Sequence, residues 1–167
     1  MTDPAQVPNS VMDRRLTLFF RLAMGWVFLY AGIWQVMSPT FSVAEFLEHT
    51  KTFHSLFAVF TTPEVAPFIT FLVKWGHLLI GLSLVSGLLV RVSGPCGMAL
   101  LGVYYLAHLD FPYVETHVNF ILDYHIVYIA LIGYLVAARA GHVWGLDGWA
   151  ERLPLFREHA LLRPLVS

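Results

Sequence analysis

NFILDYHIVYIALIGYLVAA, running from Asn119 to Ala138, decides how the rest of the chain is read. From Phe120 onward it is apolar for the length, roughly 20 residues, that crosses a hydrocarbon core of about 30 Å. Asp123 and His125 nevertheless stand at its head. An ionisable group at a membrane helix centre costs about 2.5 to 3.5 kcal/mol, so such groups usually face the bundle interior or a wet cavity. The stretch therefore predicts a transmembrane helix that opens on a polar site.

Similar apolar runs recur upstream, at about 16–37, 67–90 and 94–111, before the run at 120–138. Composition agrees, with 57% hydrophobic and 13% charged residues where soluble chains have about a quarter charged. The expected fold is all-α: a four-helix transmembrane bundle, forming a single integral membrane domain over residues 1–167. Residues 141–167, with Trp144 and Trp149 among charges, read as an interfacial tail. Arg14 and Arg15 precede the first run as they would a secretory signal. That run is longer than an h-region of about 7 to 15 residues and has no small-residue cleavage site, so a retained helix is expected. A net charge of −1 without a basic block argues against nucleic acid. Cys96 is the single cysteine, which rules out an intramolecular disulfide, a CxxC motif and disulfide-forming quinone chemistry within this chain.

Arg14, Arg15, Arg91, Arg139, Arg152, Arg157 and Arg163 fall on one side of four spans, and Lys51 and Lys74 toward the other. The positive-inside rule then places both termini in the cytoplasm, with the loop from Ser38 to Ala66 outside; the expected location is a prokaryotic inner membrane. Within that loop FSVAEFLEHTKTFHSLFAVF sets Phe46, Phe53, Leu56, Phe57 and Phe60 at helical spacing against Glu45, Glu48, His49 and Lys51. It predicts one external amphipathic helix between the first and second spans, as a cap or a functional lid.

Polar groups gather toward the outer ends of the spans. At about 1.5 Å per residue, His77 lies roughly 15 Å into the second span and His125 roughly 8 to 9 Å into the fourth. Tyr104 and His108 stand one turn apart near the end of the third, followed by Asp110, Glu115 and His117, and Trp34 and Gln35 end the first. These residues predict one outward-facing pocket, against the plainer reading of each histidine as an interhelical hydrogen-bonding group. Asp123 and His125, two apart, are separated by about 200° on a helix and are expected to point different ways, whereas His125 and Tyr128 share a face. Gly25, Gly32, Gly76, Gly81 and Gly87 are expected to allow close helix approach. Arg21 is expected to snorkel to the inner interface rather than bind an anionic headgroup.

RLAMGWVFLYAGIWQV (21–36), GLSLVSGLLVRVSG (81–94) and LDYHIVYIALIGYLVAARAGHVWGLDGW (122–149) together resemble the DoxX/DoxD family of four-helix membrane proteins, which includes the DoxD subunit of thiosulfate:quinone oxidoreductase. Gln35 stands where family members often have lysine, and His77 where they have an acidic residue. The resemblance implies a membrane subunit of a quinone-linked oxidoreductase, with Asp123, His125 and Tyr128 as the matching residues. Its implied setting is the lipid bilayer, beside partner subunits, with thiosulfate as donor.

Quinone reduction needs two protons, which imidazole, with an unperturbed pKa of about 6.5, or a hydrogen-bonded carboxyl can deliver while aromatic walls hold the ring. The expected catalytic residues are His125, Asp123, His108 and His77; the expected quinone-binding residues are Trp34, Gln35, Tyr104 and Tyr128; no metal site is expected. Cys96 falls toward the inner side and no other residue is a two-electron carrier, so electrons pass directly from donor to quinone, or through a partner or bound cofactor. Two alternatives stand beside this reading: a non-catalytic accessory subunit of a larger respiratory or photosynthetic membrane complex, and a haem b protein using two helix histidines.

Overall fold

A computed structural model of the chain describes residues 10–159 and 161–166, and these are mostly helical. The extreme ends, on which the expected cytoplasmic placement of both termini bears, lie outside the described residues.

The first helix, α1 (Val11–Met37), starts where the Ser10 hydroxyl accepts the Asp13 N–H at 3.0 Å, the usual N-cap arrangement. The external segment departs from expectation. It forms two short helices, α2 (Val43–Leu47) and α3 (His54–Phe57), with a 3₁₀ turn at Ala58–Thr61, rather than one amphipathic helix. Thr50 turns its hydroxyl onto the Leu47 carbonyl at 2.8 Å, a side-chain bond that competes with another helical turn. Thr52 is then pinned to the far loop, its N–H on the Leu109 carbonyl and its hydroxyl accepting the Phe111 N–H.

Next come α4 (Ala66–Ser86) and α5 (Val90–His108). The expected boundary at 90 and 94 shifts because Gly87, at φ +70°, closes α4 in the left-handed conformation that glycine adopts without a Cβ penalty. The Asp147 carboxylate, far along the chain, accepts the N–H groups of Leu89 and Val90 at 2.6 and 3.3 Å. That distant cap lets α5 begin four residues before Gly94.

Helix α5 stops at His108, and the chain then forms a small antiparallel sheet, β1 (Leu109–Asp110), β2 (Tyr113–Val114) and β3 (Thr116–Phe120), in that order. The last long helix, α6 (Tyr124–Ala137), consequently starts four residues later than expected. The tail folds into short turns, among them α7 (Asp147–Ala150) and α8 (Pro154–Glu158).

The four long helices pack in a ring, α1 along α4, α4 on α5, α5 along α6 and α6 back on α1. Met24, Phe28, Ile80, Leu84, Leu101, Ile132 and Leu135 fill its core. Gly32 and Gly81 bring α1 and α4 together, since a Cβ on either would run into the backbone of Leu78 or Leu29. Gly76 does not share this role: it faces open space. Among the described residues, two helices, α1 and α4, are long and apolar enough to cross a membrane.

Arg21 corrects another expectation. Only 1% exposed, it does not snorkel. Its Nη1 donates to the carbonyls of Ala140 and Val143 at 2.6 and 3.0 Å, and its Nη2 to that of Trp144 at 3.3 Å. The α6 C-terminus leaves carbonyls without helical partners, and the guanidinium ties the turn that follows to α1. Gly87 and Gly145 leave the room it occupies. Burial pushes the neighbouring Asp147 carboxyl up from its ordinary range, against the Leu89 and Val90 N–H groups and the charges of His142 and Arg21, which pull it down.

Candidate functional site

At the opposite end of the ring, all four long helices line one cavity of about 290 Å³. Helix α1 contributes a stripe at Val27, Phe28, Ala31 and Gln35; α4 contributes His77; α5 contributes Leu101, Tyr104 and His108; α6 contributes Tyr124, His125 and Tyr128. The volume lies near the lower end of small-ligand pockets, roughly 300 to 1,000 Å³.

Asp123 and His125 are not turned apart. Asp123 precedes the helix in extended conformation (φ −138°, ψ −172°), so the helical angle between positions two apart does not apply. One carboxylate oxygen accepts the His125 backbone N–H at 3.1 Å as the α6 N-cap, and the other stands 2.5 Å from His125 Nδ1. Both side chains are almost wholly buried. A carboxylate at Nδ1 orients the imidazole and supplies a counter-charge to its protonated form.

The other two histidines are fixed in the same sense. His77 Nδ1 lies 2.9 Å from the Val73 carbonyl, and His108 Nδ1 lies 2.8 Å from that of Tyr104. A carbonyl only accepts, so Nδ1 carries the hydrogen in both rings, and Nε2 is the acceptor each retains when neutral.

The rings form a continuous cluster. The centroids of His108 and His125 are 5.1 Å apart, Tyr104 stacks on His125 at 6.3 Å with 15° between planes, and His77 lies 5.6 Å from both Tyr104 and Phe28. Gln35 is buried, and its Oε1 has no hydrogen-bond partner, an unmet acceptor in a wall of the cavity.

Of the residues singled out in the sequence, His77, His108, His125, Gln35, Tyr104 and Tyr128 line the cavity, with Asp123 behind His125. Trp34 does not join them. It lies one residue round the helix from Gln35, is 59% exposed, and meets Phe41 edge-on. Asp110 is outside as well, paired with Lys51 at 2.6 Å on the surface.

Tyr124 and Phe28 are lining residues the sequence reading does not single out. Tyr124 stacks on His125 at 4.2 Å, and its signal was its place one turn before Tyr128. Phe46 of α2 covers the cluster from outside, 4.8 Å from the His108 ring; its helical spacing was visible, but not which ring it would cover.

Among the described residues, no three His, Cys, Asp or Glu side chains converge as a metal-binding group. Comparison with protein-family models, with curated proteins and with solved structures gives no match, so the chemistry of the cavity rests on its own geometry.

Proposed function

We propose that the chain is a membrane subunit of a quinone-linked oxidoreductase, with a quinone ring bound among the histidines of the cavity. The observation that carries the reading is the Asp123–His125 pair, a buried carboxylate holding an imidazole that lines a cavity walled by aromatic rings.

The bilayer setting is supported by the outer faces of the helices. On α1, Phe19, Trp26, Tyr30, Ile33 and Met37 are exposed along one stripe, and on α4, Phe68, Leu72, Trp75, Leu79 and Leu82 do the same. Stripes of this extent mark contact with lipid or protein rather than water. Helix α6, with 14 residues, is only about 21 Å long. In a bundle crossing about 30 Å of hydrocarbon, its polar head falls below the outer surface, where an ionisable pair implies function. The arginine asymmetry orients the cavity to the outer leaflet, with the termini in the cytoplasm.

A quinone becomes a quinol by taking up two electrons and two protons. His125 Nε2, when protonated, delivers one proton to a quinone oxygen, with Asp123 stabilising the imidazolium before it leaves, and protonated His77 delivers the second to the other oxygen. Gln35, His77 and His108 are the polar partners for the rest of the ring, and Tyr104, Tyr124 and Tyr128 are its walls. The electrons come from a donor outside the cavity, either directly or through a partner subunit. The DoxX/DoxD resemblance suggests a small sulfur anion such as thiosulfate.

The test is reduction of a tail-less benzoquinone, with thiosulfate as donor, by the purified complex with and without this chain. Reduction that depends on the chain supports the reading. Equal reduction without it favours the accessory-subunit alternative.

A further inference from the structure

A second cavity of about 410 Å³ lies between α4 and α5, beneath α2, α3 and the 3₁₀ turn. Its lining is apolar throughout except for Tyr104. Leu47 and Phe57 are buried on its outer side, whereas Leu72, Val103 and Leu106 stand 49%, 51% and 37% exposed along its edge. An apolar trough with a rim of this kind suits a flexible hydrocarbon chain entering from the side.

Its relation to the histidine cavity decides which chain. Tyr104 lines both spaces. Phe46, which lines the trough, lies 5.9 Å from the Tyr104 ring and 4.8 Å from that of His108. The partition between a polar, ring-sized space and an apolar, chain-sized one is therefore a layer of aromatic side chains, which can swing about their χ angles. A ligand with a flat polar head and a branched apolar tail matches the pair of spaces together. A phospholipid matches only one of them.

We propose that the trough holds the isoprenoid tail of the same quinone whose ring occupies the histidine cavity, with Tyr104 and Phe46 as the portal between them. The inference rests on the quinone reading above and adds a preference for a tailed substrate, drawn from the bilayer between α4 and α5. It also gives the external helices a role, since α2 and α3 then roof the tail rather than the ring.

The test uses the full chain in lipid nanodiscs, with a benzoquinone bearing a three-isoprene tail that ends in a photoactivatable diazirine. Saturable displacement of this probe by a tail-less benzoquinone measures ring binding alone. After illumination, the expected crosslinks fall on the trough segments of α2, α4 and α5 and disappear with excess tail-less quinone. Leu72→Trp and Val103→Trp, which fill the trough from its exposed rim, should weaken the tailed probe by about tenfold and leave tail-less binding unchanged. Crosslinks confined to the seam between α1 and α6, or unchanged affinity of both variants for the tailed probe, would overturn the proposal while the ring site stands. Crosslinks in the trough that survive the tail-less competitor would also overturn it, because the trough would then be taking a chain independently of the ring. Absence of saturable ring binding would remove the quinone reading and this inference together.

Discussion

Asp123 caps the helix that carries His125, and the same carboxylate holds that residue's imidazole, 2.5 Å from Nδ1. One side chain thus joins a structural duty to a chemical one, and substitution can separate them. Asn is as good an N-cap as Asp, whereas Ala costs roughly 0.5 to 2 kcal/mol. Asp123→Asn should leave unfolding in detergent nearly unchanged while lowering the rate of quinone reduction, since a neutral amide no longer stabilises the imidazolium. Asp123→Ala should lower both stability and rate. An unchanged rate in Asp123→Asn would confine Asp123 to capping.

Arg21 is expected to carry the inner end of the fold. Hydrogen bonds to a charged group contribute about 1.5 to 3 kcal/mol each, and the guanidinium makes three, to Ala140, Val143 and Trp144. Arg21→Ala should destabilise by about 3 kcal/mol or more, and Arg21→Lys should recover only part, because an ammonium has no planar fork. Denaturant titration of the three proteins checks the order.

The small-residue contacts between α1 and α4 give a paired prediction. Gly81→Ala places a methyl against the Leu29 backbone, whereas Gly76→Ala places one in open space. The first should lower the unfolding midpoint. The second should leave it unchanged or raise it, since Ala is favoured over Gly within a helix by about 1 kcal/mol.

Asp147 sets an expectation for pH. Burial raises its carboxyl above the ordinary value, so the folded chain binds this proton more tightly than the unfolded chain, whose pKa is about 3.9. Its contribution to stability is fully present below that value and is lost as pH rises through the folded pKa. In wild type, this group therefore works against acid lability. Asp147→Asn should remove that pH-dependent part, which unfolding midpoints collected from about pH 4 upward will show.

The approximate positions of the four long helices were legible because apolar length is a property of runs of residues. Boundaries were less so, for reasons that lie far along the chain. The cap on α5 comes from Asp147, and the break in the external helix comes from Thr50 and from Thr52 against the loop after α5. The residues of the cavity were mostly visible as polar exceptions in apolar runs: His77, His108, His125 and Gln35. What periodicity misjudged was the Asp123–His125 pairing, because the rule of about 100° per residue holds only inside a helix and Asp123 is outside it. Tyr124 and Phe28 were hidden for the opposite reason, as aromatics in apolar runs give no contrast. Arg21 read as a snorkelling cation because nothing local shows that the turn after α6 folds back onto it.

The central claim is that His125 delivers a proton to bound quinone, and the His125→Gln protein tests it most directly. Glutamine keeps polarity and similar reach but does not titrate, so the assembled variant should bind a tail-less benzoquinone with ordinary affinity. Its donor-dependent turnover should fall by about 10²-fold, the lower end of the range for a general acid, and the wild-type pH dependence should disappear. His108→Gln, measured alongside, should raise the KM for quinone more than it lowers turnover. Full turnover with the wild-type pH profile in assembled His125→Gln protein would contradict the account.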